Sequence, residues 1–253
     1  MARRLAPVVA LFLAFAFIPA YAAAPPAAAK PFAGWAAVVV AGDHEDSDGN
    51  STEGFDNARR SVARNLVRLG FAPDHIAQFS TRPRAYKYEK LHTTRPNSIM
   101  RTLLALTQKA PDGCLLYFSS HGEEDGLVVG NWIVPPRALA QVVDHACEAR
   151  PTVVILSACF SGVMLPALKG PNRMILTAAR RDRTSFGCGQ ADRYPYFDQC
   201  VLETWDHVDS FPDLAARTRA CIAAREKKEH LSPPSEPQLW IGPTALASLP
   251  RWR

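Results

Sequence analysis

No Cys-x-x-Cys pair occurs in the 253-residue sequence, which removes zinc-ribbon and thioredoxin-type readings of its six cysteines. Nor is there a Gly-x-Ser-x-Gly turn, so a serine hydrolase built on a nucleophile elbow has no support. His75, His92, His145 and His207 stand alone, without metal-ligand spacing. The acidic run Asp43 to Asn50 lacks the glycine and glutamate that an EF-hand loop requires and reads as a solvated loop, with His44 at its start. Arg180-Arg181-Asp182-Arg183 has no aromatic residue between its charges, and the surplus of +5 includes Arg3 and Arg4 at the extreme N-terminus, so no nucleic-acid partner is indicated. After the N-terminal segment no apolar run approaches membrane-spanning length.

What is present fits one enzyme-sized globular domain, with 47% hydrophobic residues. Residues 1–22 have the order of a secretory signal peptide: Arg3 and Arg4, the apolar run Leu5 to Ala20, then Ala20-Tyr21-Ala22 as a cleavage motif. A membrane association arises only if this segment stays uncleaved. Residues 23–33 read as a flexible Ala/Pro leader and 34–253 as a single domain. The expected location is the periplasm or the secreted space. There the six cysteines could form bridges; three bridges, or two bridges with one working thiol and one left over, are both open.

Short apolar runs alternate with amphipathic stretches. Trp35 to Ala41, Ile76 to Ser80, Cys114 to Ser119, Thr152 to Ala158, Arg173 to Ala178 and Gln238 to Ile241 read as strands. Phe55 to Leu69, Ser98 to Lys109, Pro136 to Ala149, Phe197 to Val208 and Pro212 to Lys228 read as helices. The order predicts a three-layer α/β fold: a mostly parallel sheet of about six strands with helices on both faces. Chemistry in such sheets collects beyond the carboxyl ends of the strands. The segments leaving strands there include Ser119-Ser120-His121-Gly122 and Ser157-Ala158-Cys159-Phe160-Ser161-Gly162.

A cysteine nucleophile needs an imidazole and backbone N–H donors for the oxyanion. His121 and Cys159 arrive at equivalent places on two strands, with Gly122 leaving room for a substrate carbonyl. The rival reading is a non-catalytic, disulfide-stabilised α/β binding protein in which both residues are structural.

The His-Gly and Ala-Cys motifs in this order resemble those of caspase-clan cysteine peptidases, especially the legumain-like (hemoglobinase) branch. Val38 to Gly42 with Phe55 to Ala58, and Leu176 to Ala179 through Thr184 to Cys188, extend the resemblance over most of 35–205. It implies a caspase-like fold, peptide or protein substrates and no metal or organic cofactor. It also implies His121 as general acid/base, Cys159 as nucleophile, and the amides of Gly122 and Cys159 as oxyanion hole. An acyl-enzyme would be released by water, or by an amine in transamidation. For the substrate pocket, Asp56 and Asn57 stand where that branch has an Arg-His pair; with Asp198 near by they predict a preference for a basic side chain on the acyl side of the scissile bond. Ser185 is expected to line the same cleft and pair its backbone with substrate.

Overall fold

The computed structural model describes residues 30–252, together with Ala2. The expected signal peptide, Ala2 apart, and most of the expected leader lie outside the described residues. Its elements begin with β1 (Trp35–Ala41), α1 (Gly54–Leu69), β2 (Ile76–Ser80), β3 (Leu91–Thr93), α2 (Pro96–Lys109) and β4 (Gly113–Ser119). Next come the short strands β5 (Gly122–Glu123), β6 (Gly126–Val129) and β7 (Trp132–Val134), then α3 (Pro136–Cys147), β8 (Thr152–Ser157), α4 (Leu165–Leu168) and β9 (Arg173–Thr177). The chain ends with α5 (Tyr196–Trp205), α6 (Phe211–Lys228), β10 (Gln238–Ile241) and α7 (Pro243–Ser248).

The main sheet has seven strands in the order β10-β9-β8-β4-β1-β2-β3. All neighbours are parallel except β10, which runs antiparallel to β9. The seventh strand beyond the expected six is β3, too short and too exposed to announce itself as an apolar run. The Pro-rich tail packs on the sheet edge, through β10.

Continuous apolar runs form the central strands because both faces of the sheet are covered. In β1, Ala36, Val38 and Val40 face a core shared with Ile99 and Leu103 of α2 and Leu139 and Val143 of α3. The alternate residues Ala37 and Val39 face Val62 and Leu66 of α1, Val201 of α5 and Leu214 of α6. One disulfide is anchored on each side: Cys114–Cys147 joins β4 to α3, and Cys200–Cys221 joins α5 to α6. Cys159 and Cys188 are free.

The folded unit starts earlier than the Ala/Pro composition suggests. Phe32 is fully buried, stacked on Phe71 with ring centroids 5.0 Å apart, and the Ala33 carbonyl bonds His75 at 2.9 Å. Phe32 and Ala33 thus belong to the domain and not to a flexible leader. Among the described residues no helix is long and apolar enough to cross a membrane.

Candidate active site

Strand register brings the two motifs together. β4 and β8 are hydrogen-bonded neighbours with Ser119 opposite Ser157, and His121 and Cys159 each lie two residues beyond that pair. The Ser120 N–H donates to the Ser157 carbonyl at 3.0 Å, extending the pairing past the strand ends. A Cβ built on Gly122 would lie 2.0 Å from the Cys159 carbonyl oxygen. Only glycine permits this approach, so the two loops are in backbone contact.

The His121 ring is held on two sides. Phe55 of α1 meets it edge-on at 5.0 Å between centroids, and Nε2 lies 2.8 Å from the Glu45 carbonyl oxygen. A carbonyl only accepts, so Nε2 carries the proton of this bond and Nδ1 is the nitrogen left for chemistry.

Cys159 is half-buried; its sulfur faces Ser185. It accepts from the Ser185 N–H at 3.3 Å and lies 3.5 Å from the Ser185 hydroxyl and 3.6 Å from its carbonyl oxygen. Among the described residues no hydrogen bond joins this sulfur to the His121 ring. The following residue, Phe160, has φ 52°, a left-handed conformation that costs a non-glycine residue of order 1 kcal/mol. The Phe160 N–H donates to the Arg183 carbonyl at 2.8 Å, and the Ser161 hydroxyl accepts from the Ala179 N–H at 3.1 Å. These bonds fix the turn against the loop after β9.

Backbone donors are available. Val128 N–H donates to the His121 carbonyl at 3.1 Å, which makes His121–Val128 a hydrogen-bonded pair of the small hairpin. Bonded and non-bonded pairs alternate along antiparallel strands, so Gly122, opposite Leu127, turns its N–H away from the hairpin.

Asp198 sits beneath both strand ends. It is fully buried; Oδ2 accepts from Ser119 at 2.7 Å and Ser157 at 2.8 Å, and Oδ1 from Tyr117 at 2.5 Å. Burial pushes its carboxyl up to about 6, against the opposing effect of the three hydroxyls. Burial, with Asp198 beside it, also drives the Tyr117 phenol above its ordinary range. The second free thiol, Cys188, is likewise pushed up, chiefly by burial and secondarily by Cys159 near by.

The expected acidic pocket is not what forms. Asp56 is buried, with Oδ1 accepting from Arg59 at 2.8 Å and Oδ2 from Ser80 at 3.0 Å. It neutralises a buried guanidinium, which also bonds Gln78 and Glu89, and offers no free acid to a cleft. Asn57 is likewise occupied, donating to the Arg193 carbonyl at 3.1 Å and accepting from Arg60 at 3.0 Å. Asp198 is sealed under the strand ends. Of the four pocket residues expected from sequence, only Ser185 touches Cys159. The partner of His121, the Glu45 carbonyl, escaped sequence reasoning because a backbone atom has no residue signature.

The architecture places the chain among caspase-like α/β proteins. The crystal structure of caspase-1 from Spodoptera frugiperda superposes with a TM-score of 0.57 at 15% identity, covering 90% of this chain and 94% of that one. No curated protein matches the sequence. The model of the Peptidase C13 family matches residues 88–219, a segment that contains both motifs. The chain belongs to the Peptidase C13 family: it is a cysteine-type peptidase, a hydrolase acting on peptide or protein substrates.

Proposed function

We propose that the protein is an exported endopeptidase in which Cys159 is the nucleophile and His121 the general acid/base. The backbone contact between Gly122 and Cys159 carries this reading, since it sets the two strand-end loops side by side. With Nε2–H donated to the Glu45 carbonyl, Nδ1 takes the thiol proton of Cys159. The thiolate attacks the substrate carbonyl, and the amides of Gly122 and Cys159 receive the oxyanion. As the C–N bond breaks, Nδ1 returns the proton to the leaving amine and a thioester remains on Cys159. Water releases it as an acid; an amine in its place gives transamidation.

The half-buried Cys188 is less suited to this work because its surroundings and the neighbouring Cys159 push its thiol up. Ser185, with its backbone against the sulfur, forms the edge along which an extended substrate pairs. Asp56, Asn57 and Asp198 act behind the cleft by fixing its walls. Residues 1–22 direct export and are removed, so the mature chain is expected to begin after Ala22.

The test is alkylation by iodoacetamide near neutral pH without reductant, read by mass spectrometry, alongside turnover of a peptide library. Cys159 is expected to be modified ahead of Cys188, and Cys159→Ala and His121→Ala to abolish cleavage. Turnover retained by Cys159→Ala would refute the assignment.

A further inference from the structure

Sheet order gives the cleft a direction. In the reaction proposed above, the acyl half of the substrate stays on Cys159, after β8, while the amine half leaves past His121, after β4. The same direction continues over the ends of β1, β2 and β3. There the structure holds a cavity of about 200 Å³ lined by residues including Asp43, His44, Thr81, Asn131 and Trp132. That is room for one large side chain, below the size of a whole-ligand pocket.

The lining is built rather than incidental. The Gly130 N–H donates to the Gly42 carbonyl at 2.7 Å, and the Ser120 hydroxyl to the Val128 carbonyl at 2.7 Å. Together they tie the β6–β7 hairpin to the ends of β1 and β4. His44 Nδ1 lies 3.0 Å from the Thr81 hydroxyl, closing the opposite wall. Trp132, on the hairpin, is nonetheless 47% exposed, a large aromatic surface left open beside a polar rim of hydroxyl, amide and imidazole groups with the Asp43 carboxylate and the Arg95 guanidinium.

We propose that this cavity is a subsite for the leaving-group side of the substrate, taking an aromatic side chain against Trp132. The inference rests on the assignment of Cys159 and His121. Neighbouring strands are about 4.8 Å apart and an extended chain advances about 3.3 Å per residue. The ends of β1 and β2, two and three strands from β8, are therefore about 10 to 14 Å from Cys159. An extended substrate places its third or fourth residue beyond the scissile bond at that distance. Ring stacking explains why an exposed tryptophan there favours an aromatic partner with a polar edge.

The test uses peptides with a common acyl half and varied residues at the third and fourth positions beyond the scissile bond. The wild-type protein should prefer tyrosine or tryptophan over alanine at one of these positions by about fivefold in kcat/KM. Trp132→Ala should bring that ratio to about one, and Trp132→Phe should retain most of it. Cleavage without preference in the wild type, or preference undiminished in Trp132→Ala, would overturn the subsite while leaving the peptidase assignment standing. Absence of cleavage across the whole series would overturn the peptidase assignment, and the subsite with it.

Discussion

Replacing Asp198 with Asn tests how the strand ends beneath the site are held. The carboxyl has a pKa of about 6 in the folded protein against 3.8 in an unperturbed chain. Between these values the folded state binds more protons than the unfolded state, so stability falls as pH rises. The contribution is fully present below about pH 4 and lost above about pH 6. Each pKa unit is worth about 1.4 kcal/mol, so the loss amounts to ~3 kcal/mol. Asp198→Asn removes the titration but leaves one of three buried hydroxyls without its acceptor, at a cost of about 1–3 kcal/mol. The two effects nearly cancel at pH 7.5. At pH 4.5 only the cost remains, because the wild-type carboxyl is then protonated and no longer a buried charge. Guanidinium unfolding at both pH values, in a Cys159→Ala background to prevent self-cleavage, reads the difference. The variant should be close to wild type at pH 7.5 and clearly less stable at pH 4.5. A stability gap that is the same at both pH values would refute the reasoning.

Gly122→Ala forces a methyl group to within 2.0 Å of the Cys159 carbonyl oxygen and must separate the two loops. Since misplacement by about 1 Å can cost ~100-fold in rate, peptide turnover should fall by about that factor; activity within a few-fold of wild type would show that the contact is dispensable. Asp56→Asn leaves the buried Arg59 with Glu89 as its remaining carboxylate partner and should destabilise the protein by ~3 kcal/mol in chemical denaturation. The preference for the residue on the acyl side of the scissile bond should not change; a changed preference without loss of stability would return Asp56 to the substrate pocket.

The parts of the fold legible in the sequence are those in which one physical requirement dominates. Trp35 to Ala41, Ile76 to Ser80 and Gln238 to Ile241 are strands with the bounds expected from their apolar runs. The main helices follow their amphipathic spacing to within one to three residues. Leu91–Thr93 has no apolar run to announce it because it is short and takes its shape from a neighbour, the Thr94 N–H donating to the Ser80 carbonyl. The spacing between His121 and Cys159 leaves room for a helix and a hairpin, but the bounds of β5, β6 and β7 come from contacts such as the Gly130 N–H donating to the Gly42 carbonyl. The site divides in the same way. The juxtaposition of the loops carrying His121 and Cys159 is legible because the strand ends that deliver them are. Asp56 misled because its counter-charge Arg59 turns inward with it and its second donor, Ser80, is remote in sequence; a buried ion pair and a substrate-binding acid look alike until the burial of the counter-charge is seen.

The cysteines follow from the layering. Cys114–Cys147 fastens β4 to the helix layer on one face, and Cys200–Cys221 fastens the two helices on the other. They close loops of 33 and 21 residues, which in the chain-entropy account is worth ~3–4 kcal/mol each. Two such bridges are the economy of an oxidising compartment and support the export reading of residues 1–22. They also leave the free thiols, Cys159 and Cys188, together at the end of the molecule where β4 and β8 finish. An oxidising compartment threatens an accessible thiol with wrong pairing. Both natural partners on β4 and α3 are fully buried, and so is Cys200. Cys188 is only half-buried, but desolvation and the neighbouring Cys159 push its thiol up. The arrangement that stabilises the sheet is therefore compatible with the proposed nucleophilic role of Cys159.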